Sequence, residues 1–97
     1  MRSLRFDWDP KKARANLKDH GVSFEEAQST FYDKWAIVYD DPDHLEEEDR
    51  ILLLGMSLRL RTHIVSHCYG EGELVIRIIS ARKAHNEEEK EYWKVRK

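Results

Sequence analysis

Leu74-Val75-Ile76-Arg77-Ile78-Ile79-Ser80-Ala81-Arg82-Lys83 is the stretch on which the reading of the chain turns. Seven of its ten residues are apolar or small and four are Val or Ile, the pattern of a central strand covered on both faces. A guanidinium inside such a strand is costly to desolvate unless an anion or a hydrogen-bonding pocket meets it. Arg77 in mid-strand, with Arg82 and Lys83 at its end, therefore reads as a phosphate-facing site on a sheet. The competing reading is a structural ion pair between Arg77 and one of nineteen acidic residues. In a regular strand Arg77 and Arg82, five apart, fall on opposite faces, so a shared site requires the chain to turn after Ala81.

Upstream, Gly70-Glu71-Gly72 is a turn, and strands are expected at Arg50–Ser57 and Thr62–Tyr69, linked by Leu58-Arg59-Leu60-Arg61. Asp40 to Asp49 holds four Asp and three Glu and reads as a solvated loop, preceded by a strand from Trp35 to Tyr39. At the front, Leu4, Phe6 and Trp8 alternate with charged residues as a first strand. Asp9-Pro10 then starts a helix with Ala13, Asn16, Leu17 and His20 on one face, stopped by Gly21. Ser23-Phe24-Glu25-Glu26 is a capping box opening a second short helix. Downstream, Asn86 with Glu89 caps a last helix, in which one of Tyr92 and Trp93 packs and the other reaches a rim. The order β-α-α-β-β-β-β-α implies an α+β domain spanning residues 1–97. It is expected to be an antiparallel sheet with an N-terminal helical hairpin and a C-terminal helix.

Composition narrows the chemistry. Ninety-seven residues suit one modest core, and 37% charged residues suit heavily solvated helices. Neither an apolar run of membrane-spanning length nor a signal-peptide core is present, and the lone Cys68 excludes an internal disulfide, so a cytoplasmic location is expected. The net charge of −2 gives no bulk nucleic-acid signal, so any RNA contact is a local patch. There is no Gly-rich phosphate loop, zinc spacing or serine-hydrolase elbow. His63 and His67 lie about 13 Å apart along a strand, too far for one metal, so neither metal nor cofactor is expected. His67 is placed by parity with His63 and Val65, and is read as facing the cleft of Arg77 or as a structural histidine. His20 reads as a helix C-terminal dipole partner.

Longer motifs add a family. Phe6-x-Trp8-Asp9-Pro10-x-Lys12-Ala13-x-x-Asn16-Leu17-x-x-His20-Gly21-Val22-Ser23-Phe24-Glu25-Glu26-Ala27 resembles the opening signature of the BrnT toxins. The likeness continues through Phe31, Asp40, Pro42-Asp43-His44, Arg50 and Gly55-x-Ser57. It closes with Arg77-Ile78-Ile79-Ser80-Ala81-Arg82-Lys83-Ala84 and Tyr92. The resemblance implies a RelE-like fold, ribonuclease toxicity that inhibits translation, and neutralisation by a BrnA-like antitoxin. It also implies that the toxin–antitoxin complex represses its own promoter, with operator DNA bound through the antitoxin. By position it points to Arg77, Ser80, Arg82 and Tyr92, and more weakly to Arg61 and His67. The Leu58-Arg59-Leu60-Arg61 turn departs from the family's usual Gly-Arg pairing, and the chain is mildly acidic where such toxins are commonly basic.

The combined expectation is a metal-independent endoribonuclease toxin in which a ribose 2′-hydroxyl attacks the adjacent phosphate. Arg77 and Arg82 stabilise the developing charge, His67 serves as base or acid, and Tyr92 orients or stacks on a base. Arg61, Ser80 and Lys83 complete the RNA contact. An alternative is a catalytically degenerate homologue acting only as a protein partner in a repressor complex, which the acidity and the altered turn favour.

Overall fold

The computed structural model describes residues 4–42, 50–70 and 74–96. Most of the acidic loop, with Asp43 and His44, and most of the Gly70-Glu71-Gly72 turn lie outside the described residues. The elements are β1 (Arg5–Asp7), α1 (Pro10–His20), α2 (Phe24–Ser29) with a 3-10 turn at Thr30–Tyr32, β2 (Ile37–Asp40), β3 (Ile51–Met56), β4 (Thr62–Tyr69), β5 (Val75–Lys83) and α3 (Asn86–Val95). The α+β class and the chain order are as expected. The sheet is not purely antiparallel. Its order is β1-β5-β4-β3-β2, and β1 lies parallel to β5, pairing Arg5 with Val75 and Asp7 with Arg77. The connection from β1 to β5 runs through the whole domain, which leaves room for a parallel neighbour that no tight hairpin permits.

The helical hairpin covers one sheet face. There Val22, Phe24 and Ala27 pack with Val65, Ile76, Ile78 and Ala81, flanked by Phe6, Trp8 and Phe31. The opposite face is partly covered by α3, whose Tyr92 packs with Leu54 and Ile64 beside Trp35, Ile37 and Met56. Residues 76 and 78 of β5 are buried on the hairpin side while Arg77 between them is exposed, so β5 alternates rather than being covered on both faces.

Local chemistry explains each element. Asp9 accepts from Lys11 N–H and Pro10 occupies the first turn of α1. Gly21, with φ +71°, closes the helix by donating its N–H to Leu17 O. Asn16 is buried as the face requires, but Leu17 points to solvent. The Asn16 amide donates to both Val22 O and Ala81 O and accepts from Ala81 N–H. Since β1 ends beside Arg77, the amide stands in for a neighbouring strand on the open edge of β5. Gly55 is required by crowding: a Cβ there would sit 3.1 Å from Thr30 O and 3.3 Å from the Ala36 Cβ.

Half of the capping box of α2 forms, with Glu26 N–H donating to Ser23 Oγ at 3.0 Å. The Glu26 side chain is drawn away from the reciprocal contact into a buried cluster. It accepts from Ser57 Oγ (2.7 Å), Arg61 Nε (2.9 Å), Arg61 Nη2 and His63 Nε2 (2.6 Å). Burial pushes its carboxyl up, and the bonds from Arg61, His63 and Ser57 outweigh that and hold it at about 2. At α3 the cap falls one residue earlier than the sequence spacing indicates, on His85, whose N–H donates to Glu88.

Candidate ribonucleolytic face

A bulge in β5 assembles the cationic face. Along β4 and β5 the partners run Ile64–Arg82, Val65–Ala81 and Ser66–Ser80, then His67–Ile78 and Cys68–Arg77. Ile79 is therefore the extra residue, with Ile78 and Ile79 together opposing one residue of β4. Without it Arg77 and Arg82 would point oppositely. With it Arg77, Ser80 and Arg82 share the face of Ile64, Ser66 and Cys68. The expected turn after Ala81 is thus replaced by an earlier bulge, because β5 stays paired through Lys83.

Each cation already has a carboxylate. Arg77 Nη1 lies 2.5 Å from Asp7 Oδ2, a pair set by the parallel register, with side chains 50% and 54% exposed. The ion-pair reading is thus part of the answer, but so exposed a pair contributes little and is easily exchanged for an anion. Arg82 makes a bidentate contact to Glu88, 2.8 Å on each arm, joining the end of β5 to the start of α3. The Arg82 bonds hold the Glu88 carboxyl at about 2 despite its partial burial, with help from the His85 N–H.

Beside Ser80 and Arg82 is a cavity of about 170 Å³ lined by His20, Asp41, Arg50, Leu52, Ile64, Ser66 and Ala81 as well. Among the described residues, none gives the buried Ser66 Oγ a hydrogen bond. His20 and Ser66 were missed from the sequence as site residues, and Arg50 was noted only within a motif. No local signal marks His20: its place follows only from the tertiary contact of Asn16, four residues earlier on α1, with β5.

The other expected site residues lie elsewhere. His67 does not face the cleft of Arg77; it is fully buried on the hairpin side, as its parity with Val65 dictates. Its Nδ1–H donates to Val65 O at 3.1 Å, and its ring meets Phe31 edge-on at 4.8 Å. Burial lowers its pKa, only partly countered by the Val65 carbonyl, so the imidazole stays neutral. Tyr92 is the packed member of its pair and Trp93 the rim residue. The Tyr92 ring is enclosed, which removes the expected base stacking, and its hydroxyl donates to Asp33 Oδ2 at 2.6 Å while accepting from Arg96. Arg61 is paired with Glu26 away from that strand, and Lys83, opposite His63 in the ladder, falls on the face opposite Arg82. Of the seven expected residues, the fold gathers Arg77, Ser80 and Arg82. Among the described residues no three of His, Cys, Asp or Glu converge as metal ligands, and no helix is long and apolar enough to cross a membrane.

The sequence profile of the family described as "Ribonuclease toxin, BrnT, of type II toxin-antitoxin system" matches residues 8–88. The chain belongs to the BrnT family. A crystal structure of the Brucella abortus ribonuclease toxin BrnT superposes with a TM-score of 0.66 over 87% of this chain and 100% of that one, at 22% identity. At that identity the likeness speaks for the BrnT fold. No curated protein sequence matches the chain. Both the β5 bulge and the Asn16 clamp lie inside the span matched by the BrnT profile.

Proposed function

We propose that this BrnT-family chain is a metal-independent endoribonuclease toxin that grips RNA with the Arg77–Ser80–Arg82 face. The supporting observation is the bulge at Ile79, which places two guanidiniums and a hydroxyl from one strand on one side of the sheet. A phosphodiester passing from a 2′-hydroxyl attack to a phosphorane gains negative charge, which the Arg82 guanidinium beside Ser80 is suited to stabilise. Arg77, about 13 Å along the strand, suits a neighbouring phosphate of the same RNA. In this reading Asp7 and Glu88 hold the cations in place until RNA arrives. The reading places the toxin in the cytoplasm within the RelE-like group. A BrnA-like antitoxin would mask the cationic face and repress the shared promoter through its own DNA-binding element.

The test is cleavage of RNA by the purified protein in EDTA, followed by analysis of the ends. A 2′,3′-cyclic phosphate with a 5′-hydroxyl is expected. A requirement for added metal, or a 5′-phosphate product, would overturn the mechanism. A second reading, a degenerate homologue that only binds its antitoxin, is favoured by the full pairing of Arg77 and Arg82 with carboxylates. It predicts no cleavage under any condition together with an intact antitoxin complex.

A further inference from the structure

We propose that the cavity between α1 and the end of β5 seats the scissile phosphate, and that His20 is the catalytic residue that accepts the 2′-hydroxyl proton. The inference rests on the ribonuclease reading above and names the proton acceptor that the reading lacks. His67, the sequence's choice, is walled into the opposite side of the sheet, and His63 is held by Glu26. His85 lies at the start of α3. Among the described residues, His20 is the histidine that lines the cavity with Ser80 and Arg82.

Its position is built. Asn16 clamps the Ala81 backbone with two bonds and holds Val22 O with a third, all of 2.9–3.0 Å. His20 follows one helical turn later on the same face, an exposed residue at the helix end that lines the cavity beside the edge of β5. Across the cavity, Ser66 and Ser80 are direct partners on neighbouring strands, and both hydroxyls belong to the face of Arg82. Ser66, a lining residue, keeps its Oγ buried and without a partner among the described residues. Arg50 and Arg82 bring positive charge, and Asp41 brings a carboxylate.

At about 170 Å³ the space is below the usual range for enclosing a drug-sized ligand, about 300–1,000 Å³, and suits a charged group entering from solvent. The step is balanced with these residues. The 2′-oxygen bonds to phosphorus as its proton passes to the His20 imidazole, and the bond from phosphorus to the 5′-oxygen breaks. The departing 5′-oxygen takes a proton from water, and the imidazolium returns its own to solvent.

Two measurements test the proposal. In the intact wild-type protein, the His20 ring resonances followed by NMR should shift saturably with uridine 3′-monophosphate or inorganic phosphate, while those of His85 stay fixed. Ser66→Ala should weaken that response. In RNA cleavage, His20→Gln should lower kcat by about 10²–10⁴-fold with little change in KM, and should flatten the acidic limb of the pH profile. The groups sharing the cavity with His20 are Asp41, Arg50 and Arg82, with Glu88 behind Arg82 and Lys18 and Asp19 on its own helix.

A cleaving wild type whose His20→Gln variant keeps rate and pH profile would overturn the catalytic role. Absence of any His20 shift with either phosphate would overturn the site, whether or not the wild type cleaves RNA. A wild type that binds phosphate at His20 but cuts no RNA would overturn the ribonuclease reading, and the catalytic role with it, while keeping the subsite.

Discussion

Glu26→Gln should be among the most damaging single substitutions in this chain, and the expected cost follows from its carboxyl. That group is 4% exposed and is held at about 2 against an ordinary 4.5. At about 1.4 kcal/mol per tenfold, the difference corresponds to roughly 3 kcal/mol of folding free energy at neutral pH. The sign is that of a depressed acid: the contribution is complete above 4.5 and drains away as pH falls toward 2. Glutamine keeps the shape but directs an amide N–H₂ at Arg61 or His63, which are themselves donors, and leaves a buried cluster with one acceptor too few. Urea denaturation followed by tryptophan fluorescence, repeated from neutral pH to about pH 2.5, measures both effects. The wild type should lose roughly 3 kcal/mol across the acid range in excess of the variant, and the two curves should converge at the acid end. A neutral-pH loss below about 1 kcal/mol, or parallel acid limbs, would refute the reasoning.

Asn16→Ala should cost roughly 2–4 kcal/mol, because it leaves the buried Ala81 N–H and carbonyl unpaired, and amide exchange at Ala81 should accelerate accordingly. Arg77→Ala should alter stability by less than about 1 kcal/mol, since its pair with Asp7 is half-exposed, yet raise the KM for RNA cleavage with a smaller change in kcat. Gly55→Ala should destabilise by about 1–3 kcal/mol in thermal melts, as the new methyl meets Thr30 O at 3.1 Å and Leu53 Cδ2 at 3.0 Å. His67→Gln should lower stability while leaving the pH dependence of cleavage unchanged; a shifted acidic limb would return the proton transfer to the hairpin face.

Periodicity and end signals carried most of the secondary structure. Pro10, Gly21 and Ser23 act within a turn or two of their own position, so their effects are local and readable. The alternation of β4 likewise predicted that His63, Val65 and His67 share a face, and they do. The motifs at the two ends of the chain announced the BrnT family before any contact was known. Arg77 and Arg82 were legible as candidates because a guanidinium in an apolar strand is conspicuous by its cost, whereas Ser80 came from the resemblance to the BrnT motif.

What only tertiary structure decided was which face and which partner. A single extra residue, Ile79, reverses the direction of everything after it in β5, and no sequence periodicity marks where a strand inserts one. The parallel pairing of β1 joins Asp7 to Arg77 across seventy residues, and Glu26 is drawn from its local cap to Arg61 and to His63 on β4. His20 escapes a local reading for the same reason. Its helix-end position is a local property, whereas its place beside Ser80 and Arg82 depends on Asn16 reaching a strand sixty-five residues away. Caps and turns are chosen by neighbours in sequence, but a site is a meeting of side chains whose directions are set only when the sheet's register closes.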